Sequence, residues 1–201
     1  MNLSNQKSKL HLPIKNITGK SYLLFVLFIA FTTIQCKKNK DKNGLPYETQ
    51  VGNNTFGCLV NGQVFTRKGF SISAPTYECH YRQISPGLNE RMFYVSARMN
   101  SSNCEKKMMR IFVDSMKIME GSYVLGKLTP GNFSAGCDYY NDCSNYGFQY
   151  VTSAIDTGLI VIKKFDEINN IVSGTFWFDA RNPIGQIVQV REGRFDMKYT
   201  E

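Results

Sequence analysis

The stretch that decides the fold class covers residues 159–179 and reads LIVIKKFDEINNIVSGTFWFD. β-Branched and aromatic residues fill its two halves, Leu159 to Phe165 and Ile171 to Asp179, and such residues are enriched in β-strands. The segment between them, Asp166 to Asn170, is rich in Asp, Glu and Asn, which bound strands rather than extend them. The stretch therefore predicts a β-hairpin with a longer loop.

Two other regions carry strand patterns. Residues 58–65 read CLVNGQVF, and Asn61-Gly62 suits a two-residue hairpin turn because both central residues of such a turn need positive φ. Arg91 to Met99 alternates as a half-buried strand does. The residues that share its apolar face are Phe93, Val95, Ala97 and Met99.

The segment Lys107 to Glu120 carries two periodicities at once. One set of apolar residues follows helical spacing, whereas Met109, Ile111 and Val113 alternate as in a strand. We expect a strand to about Val113, then a turn or a single helical turn, and then a strand from Ser122 to Leu125.

The last two predicted strands run from Gln186 to Arg191 and from Arg194 to Tyr199. Their apolar phase slips, because the apolar residues have even numbers in the first strand and odd numbers in the second. Gly193 lies at the slip. We expect a β-bulge there that lets both halves face the core.

These segments predict an all-β fold, an antiparallel β-sandwich or barrel of about 8–10 strands. The part of the chain after residue 50 is long enough for one domain with a core of its own. We see no internal repeat and expect no helix in this domain. A helical signal peptide is predicted to precede it.

The segment Ser21 to Lys42 reads SYLLFVLFIAFTTIQCKKNKDK. Its apolar run, Tyr22 to Ile34, is shorter than the roughly 20 residues of a membrane-spanning helix, so it favours a cleaved export signal. Cys36 follows the run and resembles the acylated cysteine of a bacterial lipoprotein, although Gln35 replaces the small residue usual before it. The alternative is an ordinary signal with an incidental thiol at Cys36.

We therefore divide the chain into three parts. Residues 1–35 are predicted to be a cleaved lipoprotein signal peptide, residues 36–50 an acylated cysteine with a flexible tether, and residues 51–201 a single all-β domain. The tether is predicted because Lys37 to Gly44 is charged and poor in apolar residues. The expected location is the bacterial cell envelope, lipid-anchored, with the protein in the outer membrane facing the periplasm. The alternative is that the protein is exposed on the cell surface. This is not the first expectation, because the charged cluster after Cys36 is basic rather than acidic.

The net charge of +8 is concentrated at the start of the chain. Residues 1–35 carry four lysines and no acid, and residues 37–42 carry four lysines and one aspartate, which leaves +1 for all later residues. A nucleic-acid-binding domain needs a basic footprint for the phosphate backbone. We therefore expect no nucleic-acid partner, and a membrane partner through the lipid anchor.

Five cysteines follow the proposed anchor: Cys58, Cys79, Cys104, Cys137 and Cys143. Disulfides are the usual state in an exported protein, and Cys137 and Cys143 are close enough in sequence to close a loop between two strands. The alternative is that most are buried thiols. No metal site is predicted, because this part of the chain has one histidine, His80, and no C-x-x-C pair.

The segment from Phe133 to Tyr150 is rich in tyrosines and amides. Such residues on a loop stiffened by a disulfide can stack on sugar rings and supply hydrogen bonds. The alternative is that many of these rings belong to the core. The candidate ligand-binding residues are Tyr139, Tyr140, Asn141 and Tyr146.

No catalytic motif is present: there is no G-x-S-x-G elbow, no Walker loop and no H-E-x-x-H. We therefore predict no catalytic residues and no cofactor. The alternative is a hydrolase or inhibitor whose site is assembled from scattered residues, either from His80 or from pairs of Asp179 with Glu192 or Asp196.

Three segments together resemble one family: NTFGCLVNG at residues 54–62, IVSGTFWFDA at residues 171–180 and VREGRFDMKY at residues 190–199. The family consists of small Bacteroidota lipoproteins classed as a domain of unknown function, and the resemblance covers about Thr55 to Tyr199. It implies an exported, lipid-anchored, all-β module without assigned catalytic residues. The expected function is a membrane-anchored cell-envelope lipoprotein that acts as a non-catalytic binding or accessory module, with a glycan or another envelope component as its ligand.

Overall fold

The computed structural model describes residues 40–67, 76–84, 90–100, 106–140 and 147–201. All the regular structure in these residues is β, as the sequence predicts, with eleven strands instead of eight to ten. The strands are β1 (Thr55–Val60), β2 (Gln63–Thr66), β3 (Tyr77–Gln83), β4 (Arg91–Asn100), β5 (Lys106–Val113), β6 (Gly121–Leu125), β7 (Ser134–Tyr140), β8 (Gly147–Val151), β9 (Gly158–Asp166), β10 (Ile171–Arg181) and β11 (Ile187–Lys198).

The strands form one curled antiparallel sheet, a half-barrel, in the order β2-β1-β11-β10-β8-β7-β5-β4-β3. The long strand β10 lies at its branch point. One edge of β10 pairs with β11, whereas the other edge pairs with β9 along Ile171–Phe178 and then with β8 at Arg181. β9 in turn pairs with β6. β10 therefore supports both a short wing, β9-β6, and the long path through β8.

The end of the chain contacts the far edge of this path. Thr200, two residues beyond β11, forms a parallel bridge with His80 of β3. The amide of Tyr81 donates to Thr200 O at 2.8 Å, and the amide of Thr200 donates to Cys79 O at 3.0 Å. This contact joins β3 to the end of β11 and holds the sheet in its curl.

Both predicted hairpins are confirmed. Asn61 and Gly62 have φ values of 49° and 78° between β1 and β2, as a two-residue type I′ turn requires. The loop between β9 and β10 is held by Asp166, whose Oδ1 accepts hydrogen bonds from the amides of Ile168 (3.1 Å) and Asn169 (3.0 Å). Between Val113 and Gly121 the chain makes a turn, not a helical turn.

The predicted bulge is confirmed, but the two strands predicted on either side of it form one continuous strand, β11. The register shifts on both sides of it, between Gly57 and Leu59 of β1 and between Phe176 and Phe178 of β10. Apolar residues before and after the bulge are buried, including Val190 and Phe195. The positive φ belongs to Glu192 (51°). Gly193 is needed for space instead, because an added Cβ would lie 2.5 Å from the ring of Phe176.

The core lies inside the curl and is aromatic and aliphatic. Phe93, Val95 and Ala97 of β4 are fully buried, as predicted, whereas Met99 is only partly buried and Ser96 on the opposite face is buried as well. Rings from distant strands meet here. Phe56 and Phe176, for example, have centroids 5.2 Å apart and ring planes inclined by 39°, an aromatic contact that adds to their burial.

Residues 40–53, here called the strap, lie across the outer face of β11 and β1. The sequence predicts a solvated tether as far as residue 50, yet Leu45 is fully buried and Pro46 packs over Gly57. The average composition of the segment does not reveal this contact, because two apolar residues are enough to hold the segment against the sheet. Residues 36–39 of the predicted tether lie outside the described residues.

Candidate functional site

Trp177, the one tryptophan of the chain, lies on the outer face of β10. Its neighbours Phe176 and Phe178 are buried in the core, so the alternation of the strand turns Trp177 outward. The residue remains 43% exposed. A large exposed ring on a strand in the middle of a sheet is a candidate contact for a ligand.

Trp177 belongs to an apolar row that crosses three strands. It pairs with Leu159 of β9, which pairs with Val124 of β6. Directly paired residues of adjacent strands have side chains on the same face, so the three form one continuous strip. Val124, at the end of the strip, is 64% exposed.

A groove of about 290 Å³ lies beside this row on the outer face of β9, β10 and β11. Its floor includes the apolar side chains of Leu159, Val161 and Trp177. Its rim is charged, with Glu48 from the strap and Arg194 and Glu192 from the bulge of β11. The groove therefore combines an apolar floor with polar groups at the edge, which is the usual composition of small-ligand sites.

The charges of the rim are paired. Arg194 Nη1 lies 2.8 Å from Asp41 Oδ2, and Arg194 Nη2 lies 3.4 Å from Glu192 Oε2. Glu48 forms an ion pair with Lys163 of β9. Because each cation is paired with a carboxylate, the rim offers both hydrogen-bond donors and hydrogen-bond acceptors. It does not produce a strong electrostatic potential of one sign.

Asp41 is fixed by the same contacts. Burial alone raises the pKa of this carboxyl, but hydrogen bonds from the amides of Leu45 and Asn43 and from Arg194 outweigh burial, so its pKa is lowered. Asp41 therefore stays ionised at neutral pH and holds the start of the strap against Arg194 at the rim of the groove.

Arg191 lies over the ring of Trp177, with Cζ 5.6 Å from the ring centroid. Its Nη1 donates to the carbonyl oxygens of Phe178 (3.1 Å) and Val190 (2.9 Å) and lies 2.8 Å from Asp179 Oδ1. These contacts hold the guanidinium in place, and the cation–π contact limits the rotation of the indole. Trp177 is therefore oriented before any ligand arrives.

The wall formed by the strap depends on Asp196 of β11, whose side chain is buried. Its Oδ1 accepts a hydrogen bond from the amide of Gly52 at 2.7 Å. Its Oδ2 accepts hydrogen bonds from Thr49 Oγ1 (2.5 Å) and from the amides of Val51 (3.1 Å) and Asn53 (3.2 Å). Four donors on one carboxylate fix the end of the strap, and with it the position of Glu48.

The structure describes only part of the binding residues predicted from sequence. The backbones of Tyr139 and Tyr140 belong to β7 and pair with β5 and β8. Their side chains, and the whole of Asn141 and Tyr146, lie outside the described residues. The tyrosine loop therefore stays a prediction.

The structure also describes only some of the cysteines in the predictions. Cys36 and Cys143 lie outside the described residues, and Cys137 is buried in the core. No disulfide joins Cys58, Cys79 and Cys137 to one another, and these are the cysteines that the structure describes. Burial, with a smaller contribution from Cys137, raises the pKa of the Cys58 thiol well above its usual range, so Cys58 stays protonated.

His80 and each of the predicted carboxylates contact different partners. His80 Nδ1 is 2.7 Å from Thr200 Oγ1, and its Nε2 is 4.0 Å from Glu78 Oε2, a carboxylate that also pairs with Arg98. Of the predicted carboxylates, one pairs with Arg191, one with Arg194 and one with the strap. Among the described residues, no three His, Cys, Asp or Glu side chains are grouped so as to hold a metal ion.

A family model covers the part of the chain that forms most of the groove. A DUF6252 domain, a domain of unknown function, is found at residues 101–197. This range includes Trp177, Arg191 and Arg194, whereas the strap and β1 to β4 lie before it. No curated protein and no solved structure matches the chain. Within the described ranges no helix has the length and hydropathy needed to cross a membrane.

The sequence analysis did not single out Trp177 as a candidate site residue. The alternation Phe176-Trp177-Phe178 predicts that one ring points away from its two neighbours, and this signal could have identified an exposed tryptophan. No comparable signal exists for Asp41 or Glu48, because Asp41 contacts Arg194, 153 positions later in the chain, and Glu48 contacts Lys163, 115 positions later.

Proposed function

We propose that the protein is a lipid-anchored cell-envelope lipoprotein, acylated at Cys36, whose β-domain is a non-catalytic module that binds saccharides in the groove beside Trp177. The observation that carries the binding proposal is the exposed and oriented indole of Trp177, set in an apolar floor with charged groups at the rim. Stacking of a sugar ring on an aromatic ring, with hydrogen bonds to its hydroxyls from the edge, needs this combination.

The balance of charge supports a neutral ligand. The rim cation Arg194 is already paired with Asp41 and Glu192, and the nearby Arg191 is paired with Asp179, so a strongly anionic ligand would have to displace carboxylates. A neutral saccharide needs only donors and acceptors, which Glu48 and Arg194 supply. The proposal of a binding module over an enzyme rests on the separate engagement of His80 and the carboxylates described above.

The binding proposal is tested with the full chain in detergent on an array of bacterial envelope saccharides. We expect binding that Trp177→Ala lowers about tenfold or more, as for a central aromatic contact. Ile168→Ala is the matched control, because Ile168 is 93% exposed in the loop between β9 and β10 and lies outside the groove lining. Equal binding by wild type and Trp177→Ala would contradict the assignment of the groove.

The anchor is tested separately by growth of the producing bacterium with a fatty acid that carries a clickable tag. We expect label on the wild-type chain and none on Cys36→Ser. A Cys58→Ser chain is the control, because Cys58 is buried in the core. Equal labelling of Cys36→Ser and wild type would reject Cys36 as the acylated residue.

A further inference from the structure

The start of the strap and the groove share one rim. Asp41 bonds to Arg194, and Arg194 lines the groove together with Trp177. The chain therefore enters the described structure at the edge of the groove and not on a remote side of the domain. Any anchor attached to the residues just before Asp41 therefore also limits where this edge of the groove can lie.

The distance from the proposed anchor is short. Cys36 and Asp41 are five positions apart, and a fully extended chain spans at most about 3.5 Å per residue. Asp41 therefore lies within about 17 Å of an acylated Cys36, whatever the conformation between them. This distance is less than the thickness of one leaflet with its headgroups, which is roughly 20 Å.

The side chains on this face suit the surface of a bilayer. Lys40 and Lys42 are exposed on either side of Asp41, and exposed cations favour lipid phosphates. Trp177 and Val124 supply exposed apolar surface in the same region. Tryptophan with neighbouring basic residues is typical of the headgroup layer, where an indole has one apolar and one hydrated side.

We infer that the groove and the apolar row of Val124, Leu159 and Trp177 face the membrane that holds the anchor, so that the saccharide taken by the groove is one carried at the membrane surface. The orientation rests on the proposed acylation of Cys36, and the ligand class rests on the proposed saccharide binding. A ligand free in the surrounding compartment would reach this face less readily than a headgroup beside the anchor.

The test places the mature acylated protein, residues 36–201, in phosphatidylcholine vesicles whose acyl chains are brominated, because bromine quenches only nearby indoles. The chain has a single tryptophan, so its emission reports one position. We expect strong quenching of Trp177, together with a blue shift of its emission relative to the protein in detergent. The matched variant carries Trp177→Phe and Tyr94→Trp, which moves the sole indole to β4 on the long path of the sheet beyond β8, and we expect no quenching there.

Three results would overturn the inference. The first is an unquenched Trp177, and the second is equal quenching of Trp177 in the wild type and of the indole on β4 in the matched variant. The third is a blue shift of Trp177 emission that depends on protein concentration in detergent alone, because it would show that this face binds a second copy of the chain. Binding of free saccharide in detergent decides the proposed function independently. Saccharide binding with an unquenched Trp177 would keep the function and reject the orientation.

Discussion

The amide of Gly52 donates a hydrogen bond of 2.7 Å to the buried carboxylate of Asp196, and three more donors from residues 49–53 converge on the same side chain. Asp196 belongs to the last strand, whereas the donors precede the first strand. The contact therefore fastens the beginning of the domain to its end. It also fixes the wall of the groove that carries Glu48.

Asp196→Asn should release the end of the strap. The amide keeps the shape of the side chain but loses the charge and one acceptor, so we expect a loss of about 1–3 kcal/mol in the free energy of unfolding. Urea unfolding measures this loss, and limited proteolysis should then cleave within residues 40–53. Asp179→Asn is the control, because its half-buried ion pair with Arg191 lies away from the strap and a partly exposed pair contributes about 0–1 kcal/mol. A strap as resistant to protease as in the wild type would contradict the assigned role of Asp196.

Gly193→Ala should destabilise the bulge. The added Cβ would lie 2.5 Å from the ring of Phe176 and 2.6 Å from its carbonyl oxygen, and the backbone atom cannot move without disturbing the pairing of β10 and β11. We expect a loss of about 1–3 kcal/mol, typical of overpacking. In Gly126→Ala, the nearest atom to the new Cβ is 3.6 Å away, so thermal unfolding should show little change. Equal melting temperatures for the two variants would contradict this account.

Asp166 should make unfolding depend on pH in the acid range. Hydrogen bonds from the side chain and amide of Asn169, and the nearby Lys164, lower its pKa from 3.8 to about 2. Because the folded pKa is the lower one, this stabilisation is present above about pH 4 and is lost as the pH falls towards 2. Asp166→Asn should therefore flatten the pH dependence of unfolding in that window. NMR titration of the carboxyl group checks the pKa directly, and a midpoint near 3.8 would contradict the role of the loop contacts.

The thiols of Cys58 and Cys79 should resist alkylation in the folded protein. Both are buried, and burial raises the pKa of each thiol well above its usual range, so the reactive thiolate is scarce. We expect mass spectrometry to find both peptides unmodified by iodoacetamide until guanidinium is added. Rapid labelling of either cysteine without denaturant would contradict the burial.

The same digest without reductant tests the predicted disulfide between Cys137 and Cys143. A linked peptide pair containing both cysteines would confirm the disulfide, and two separate peptides would reject it.

The sequence predicts most of the sheet because strand signals are local. The turn at Asn61-Gly62 depends on backbone preferences of two residues, and the phase slip near Gly193 shows where the apolar face must change register. The left-handed residue of the bulge, Glu192, is not predicted. Its conformation is imposed by pairing with two neighbouring strands at once, which a single strand does not reveal.

The candidate site is less accessible to sequence reasoning, because it is built by contacts between distant segments. A polar stretch such as residues 40–50 is typical of a tether, and the burial of Leu45 depends on the space above Gly57 of β1. The branching of the sheet at β10 is also invisible in the sequence, yet it brings Val124 and Leu159 beside Trp177. Local alternation shows that Trp177 points outward, but not that a groove lies beside it.

The most direct measurement of the central claim is the NMR signal of the Trp177 indole N–H during titration with an envelope saccharide selected from the array. The chain has one tryptophan, so this signal is unambiguous. Binding in the groove should shift it in a saturable way, together with the side-chain signals of Arg191 and Arg194, while the indole shift is unaffected by Ile168→Ala. Saturable binding of the saccharide with no change in the Trp177 indole signal would contradict the assignment of this groove as the binding site.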